Sequence, residues 1–207
     1  MAVYPEVWKM NSSFEILYSS LRAKTESYGI QVRCEPLGLE TPGKFDGLSI
    51  TLNSDYDLES CCYYLVHSLG SIIQWSLDPQ GSQRVFDELR KAKVNKSSDP
   101  VRFTQALERF CSFEEVSSEY AVWILKDIGH DWAIPSYTDF FRADMEAMIQ
   151  YHRSGRAPVW REFFAEWKEQ VARGEKQVRP FRPRPVPQFW PVFIQTQEVL
   201  QEVDGKP

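Results

Sequence analysis

The segment from Ser54 to Trp75 constrains this chain more than any other. Leu58, Cys62, Leu65, Leu69 and Ile72 recur at spacings of four, three, four and three, which is one apolar face of an α-helix. Ser60, Tyr64, His67, Ser71 and Gln74 recur at the same spacings on the opposite side. That second stripe is polar yet carries no Lys, Arg, Asp or Glu, in a chain of which 26% is charged. A solvated helix face would carry such charges. The helix is therefore expected to be buried on both sides, with the polar stripe lining a cleft or an internal network. Gly70 in its middle is unfavourable by about 1 kcal/mol relative to Ala, so a closely packed neighbour is expected there. Ser54, with Asp57 three residues on, reads as a capping box at its start.

Before this helix the period changes. Phe14, Leu17, Tyr18 and Leu21 fall at helical spacing, predicting a helix from about Ser13 to Tyr28 that Gly29 stops. Ile30, Val32 and Cys34 alternate with polar residues and read as a strand. After turn signals at Pro36, Gly38, Pro42 and Gly43, residues 45–53 read as a second strand, with Leu48, Ile50 and Leu52 on one face. Beyond Trp75 the pattern is helical. An exposed, charged helix or helical loop is expected over Arg84 to Val94, and Asp99-Pro100 starts another helix with Phe103, Leu107 and Phe110 buried. A separate helix is expected from about Glu115 to Ile128, a further one capped by Ser136, and a last one from Trp160 to near Gly174. Residues 178–191 are proline-dense and expected to be extended. Phe181, Phe189, Trp190 and Phe193 would fill surface grooves if this tail straps its own domain. Its Pro183-Arg184-Pro185-Val186-Pro187 run would otherwise suit a proline-recognising partner.

The 207 residues are 43% apolar, enough for one substantial core. A net charge of -5 with mixed signs argues against a nucleic-acid footprint. No stretch approaches the roughly 20 apolar residues that span a bilayer, and the start lacks a signal-peptide h-region, so a cytoplasmic location is expected. Cys34, Cys61, Cys62 and Cys111 have neither CxxC nor disulfide-framework spacing and read as buried thiols of a reducing compartment. His130 beside Asp131, and His152 near a helix end, are read as structural, the latter as a cation favoured by the helix dipole.

The order helix, strand, strand, helix, with Gly43, Gly47, Ile50, Leu52 and Asn53 on the strand and Leu65-Val66-His67 before Leu69-Gly70, resembles the ImmA/IrrE-type family of zinc metallopeptidases. The resemblance covers about Ser13 to Gly129. It implies an α+β, mostly helical fold, with a small sheet packed on a helical zincin-like core. Residues 1–176 would form that domain with extra C-terminal helices, and 177–207 a Pro-rich extended tail.

In the family, His-Glu-x-x-His supplies two zinc ligands on one helix face and a general base. This chain has His67-Ser68-Leu69-Gly70-Ser71. His67 keeps the first ligand position, but Ser68 stands at the base and Ser71 at the second ligand. A hydroxyl is a poor zinc ligand and a poor base near neutral pH, and losing a general base alone lowers rates by about 10²–10⁴-fold. Glu119, before Tyr120-Ala121-Val122, matches the later carboxylate ligand, with Glu115 the competing assignment. The resemblance thus implies a vestigial site of His67, Ser68, Ser71 and Glu119. No metal or other cofactor is expected, and the domain would bind a protein or peptide, in a regulatory setting by analogy with the family, without cleaving it. Its alternative is a divergent metal-dependent peptidase, with zinc held by a non-standard set around His67 and Glu119.

Overall fold

The computed structural model describes residues 12–38, 41–46, 49–156 and 158–187. Gly47, Leu48, Phe189, Trp190 and Phe193, named above, lie outside the described residues. The fold is α+β and mostly helical. Its elements are α1 (Ser12–Ser27), β1 (Gln31–Glu35), β2 (Gly43–Phe45), β3 (Ser49–Asn53), α2 (Leu58–Leu77), α3 (Pro79–Val94), α4 (Pro100–Asp127), a 3₁₀ turn (Asp131–Ala133), α5 (Ile134–Ser154) and α6 (Trp160–Ala172). Among the described residues, no helix is long and apolar enough to cross a membrane. The chain divides into two compact units, Met1–Leu69 with Pro185–Pro207, and Gly70–Arg184, so the division falls within α2.

In the first unit, β3 is the middle strand of three. It pairs in parallel with β1, Val32 opposite Ile50, and antiparallel with β2, Phe45 opposite Ile50. The single strand expected over 45–53 is therefore two elements: Phe45 ends β2, Asp46 accepts from the Ser49 amide at 2.6 Å, and β3 restarts at Ser49. All five β3 residues are buried, as befits a central strand covered on both faces. Asn53 pins the preceding turn region. Its Oδ1 accepts from the amides of Leu37 and Asp55, each at 3.0 Å, and its Nδ2 donates to the Thr41 carbonyl at 2.7 Å and to that of Gly38. Leu17 and Leu21 of α1 are fully buried, and the Cys62 thiol faces the Phe14 carbonyl at 3.7 Å.

The start of α2 differs from the expected capping box. Asp57 is itself the cap: its carboxylate accepts from the Ser60 amide at 2.7 Å and the Ser60 hydroxyl at 2.9 Å. The apolar face of α2 also ends differently, with Ile73 fully buried and Ile72 only half-buried. On the polar stripe Ser60 and His67 are buried and Tyr64, Ser71 and Gln74 half-buried, so both sides of the helix are covered.

In the second unit two helices begin at the same local signal. Asp78-Pro79 and Asp99-Pro100 each place a capping carboxylate before an N-terminal proline, accepting from the amides of Gly81 at 2.8 Å and Arg102 at 3.0 Å. The two helices expected over 100–128 are one. Nothing between Phe110 and Glu115 is Gly or Pro, so α4 runs unbroken for 28 residues. Its N-terminal half packs Phe103, Leu107 and Phe110 on Leu89 and Ala92 of α3. Ser136 is not a cap. The 3₁₀ turn leads directly into α5, where Pro135 occupies the first turn. Trp160 of α6 stacks on Phe164 and meets Phe140 of α5 edge-on, with centroids 5.3 and 5.0 Å apart. Gly70 lies against α4. A Cβ there would overlap the Ser117 carbonyl oxygen and sit 3.1 Å from the Ala121 amide nitrogen, which is the close neighbour the glycine anticipates.

Candidate functional site

His67 and Ser68 lie on the part of α2 that belongs to the first unit, both buried at 8% exposure. Ser71 is half-buried one turn beyond His67, on the part that belongs to the second. Among the described residues, no three or more His, Cys, Asp or Glu side chains are grouped to hold a metal ion.

Glu119 lies on α4 in the second unit, and its carboxylate already holds a cation. The Arg184 Nε and Nη2 each lie 2.8 Å from Glu119 Oε2, and the Arg184 amide donates to the Glu119 carbonyl at 3.0 Å. Glu115, one turn earlier, is held the same way: Arg142 Nη1 of α5 donates to its Oε1 at 2.8 Å. Both assignments for the third ligand therefore fall on carboxylates with arginine partners.

The segment that brings Arg184 to α4 runs without regular structure from Glu175. Gly174, at φ 72°, turns the chain out of α6 into it. Phe181 is its anchor, 5% exposed, tilted against Tyr137 with centroids 6.3 Å apart. The Arg142 guanidinium lies over the Phe181 ring at 4.0 Å, and its Nε donates to the Arg179 carbonyl at 3.0 Å. Burying a phenylalanine is worth about 1.5–3 kcal/mol, whereas an exposed ion pair contributes roughly 0.2–1. The ring holds this strap and the arginine sets its register. Phe181 was readable as a groove-filler from its composition. Arg142, Tyr137 and Arg184 were not, because their partners are distant in sequence.

The α4–α5 contact brings two acidic groups together. Glu114 is 8% exposed, and half-buried Asp144 is pushed up to about 7 by burial and then by the neighbouring Glu114. Tyr137 is fully buried and hydrogen-bonded to Ser118, and burial raises its phenol well above the usual range.

The Trp132 indole N–H donates to His130 Nδ1 at 3.2 Å. His152 lies in the last turn of α5. Burial and then Lys93 lower its pKa, and its ring packs edge-on against Phe110 at 5.4 Å, so the neutral form is favoured rather than the cation. Cys61 and Cys62 are buried as expected, but Cys34 and Cys111 are half-buried. Burial raises all four thiols, which favours their protonated, unreactive form. A cleft of about 360 Å³ between α5 and α6 is walled by Phe163 and Trp167, with Glu162, Glu166 and Lys176 at its rim.

Comparison with family models, with curated proteins and with solved structures finds no match to this chain.

Proposed function

We propose that this chain is a metallopeptidase-like domain that has given up catalysis and acts by holding a protein or peptide. The carrying observation is the pairing of Glu119 with Arg184. The guanidinium on Glu119 Oε2, with the strap backbone docked on the same helix turn, competes with a metal for this carboxylate. Ser68 and Ser71, where the resembled family has its base and second histidine, support the same reading. A serine hydroxyl neither accepts a proton from metal-bound water near neutral pH nor competes with imidazole for zinc. The binding half of the proposal draws on the strap, since a surface that seats one extended segment has the donors, acceptors and pocket to seat another.

The test is the metal content of the purified, untagged protein beside a His67→Ala variant. Metal-free protein whose melting temperature does not respond to added zinc is the expected result. Near-stoichiometric zinc lost in the variant, with peptide cleavage abolished by a chelator, would instead establish a divergent peptidase built on His67 and Glu119.

A further inference from the structure

Residues 179–184 sit on α4 and α5 as a bound peptide would. Phe181 enters a pocket walled by Tyr137 and roofed by the Arg142 guanidinium at 4.0 Å. Three residues on, Arg184 meets the Glu119 carboxylate at 2.8 Å, with its guanidinium 5.8 Å from the Tyr120 ring centre. Pro180 and Pro183 fix φ and remove two amide donors, which favours an extended backbone before binding. The segment's backbone is held at both ends: the Arg179 carbonyl accepts from Arg142, and the Arg184 amide donates to the Glu119 carbonyl. An aromatic anchor, a cation at the third position beyond it and two backbone hydrogen bonds make a recognition pattern.

We propose that this face of α4 and α5 is a docking site for a partner protein's extended Phe-x-x-Arg segment with proline between or beside the two anchors, and that residues 179–184 occupy it until such a segment displaces them. The occupant's chemistry is read from the segment already seated. The partner must be cationic because Glu119 faces it, and aromatic because the Tyr137 pocket takes a ring. The grip on the strap is suited to exchange. Only Phe181 is deeply buried, while the Arg184 side chain remains 47% exposed. A tethered segment competes at an effective concentration on the order of millimolar, so a partner must bind the open site well below that value to replace it. This deepens the binding reading above and rests on it for the premise that the domain's role is to hold peptides.

The experiment uses the full chain and a fluorescein-labelled peptide of residues 177–187, followed by anisotropy. Against the wild type the peptide should bind weakly. Against a Phe181→Ala/Arg184→Glu double variant, which frees the site, it should bind at least tenfold tighter. Adding Glu119→Arg to that background should remove the gain, and a peptide carrying the Arg184→Glu change should restore it. Equal affinity for wild type and opened variant, or no binding to either while far-ultraviolet circular dichroism shows both folded, overturns the proposal. If the double variant fails to fold, Phe181→Leu with Arg184→Ala replaces it, since this loosens the anchor while keeping an apolar side chain in the pocket, and the same outcomes decide. The two proposals fail separately. Zinc uptake with cleavage overturns the non-catalytic reading, whereas these titrations read only the α4–α5 face.

Discussion

Replacing Gly70 by alanine tests the packing of the second unit with opposite signs for opposite arguments. In an isolated helix the change is favourable by about 0.8–1 kcal/mol, because alanine loses less backbone freedom. Here the new methyl has nowhere to go. It would overlap the carbonyl oxygen of Ser117 and lie 3.2 Å from that residue's carbonyl carbon and 3.1 Å from the amide nitrogen of Ala121. All three are backbone atoms of α4, so no rotamer change relieves the contact and the helices must separate. Overpacking of this kind is unfavourable by about 1–3 kcal/mol, and a backbone obstacle places it at the upper end. Parting the helices would also stretch the Ser117 hydroxyl's bond to Gln74, now 2.7 Å. Subtracting the propensity gain leaves a net destabilisation of about 2 kcal/mol, or a melting-temperature drop of roughly 4–8 °C for a chain of this size. Thermal unfolding followed at 222 nm measures it, and Gly70→Ser should fall further still. A Gly70→Ala protein that melts at or above the wild-type temperature would refute the close crossing.

Two further outcomes follow from buried polar groups. Asn53→Ala leaves the amides of Leu37 and Asp55 without their acceptor and two carbonyls without their donor. Urea unfolding should show a loss of roughly 2–4 kcal/mol, and a change under 1 would mean that water replaces the side chain. Asp144 is raised to about 7 by burial and Glu114, so the native state keeps its proton between pH 4 and 7 while the unfolded chain releases it. Stability therefore falls as pH rises through that window, by an upper limit of about 4 kcal/mol. Asp144→Asn should exceed the wild type in stability at pH 8 and converge with it near pH 4, and a difference independent of pH would refute the assignment.

What the sequence made legible was local. Asp99-Pro100 announced α4 because the cap and the proline act within one turn, and Gly70 announced a close neighbour because only packing explains a glycine there. The join within α4 is hidden in the sequence because its buried face passes through the polar Glu114, Ser117 and Ser118, which interrupts the apolar pattern without ending the helix. Residues 45–53 carry the pattern of one strand because the turn at Asp46 depends on a carboxylate–amide bond that leaves no periodic mark. Glu119 was identified as a position of interest on its residue type, but its pairing with Arg184, 65 residues away, has no local signature. The strap's register was likewise invisible, since composition names an anchor such as Phe181 without naming its pocket.

The small sheet has a consequence for how this chain can meet another. Among the described residues, β1 and β2 are its two margins. A neighbouring chain could extend the ladder only by adding to one of them. β2 offers three residues, and β1 carries Arg33 and Glu35 exposed among its five. Shortness on one margin and charge on the other are what keep such margins from recruiting strands and seeding aggregates. β3, the apolar strand that would polymerise most readily, is sealed between them.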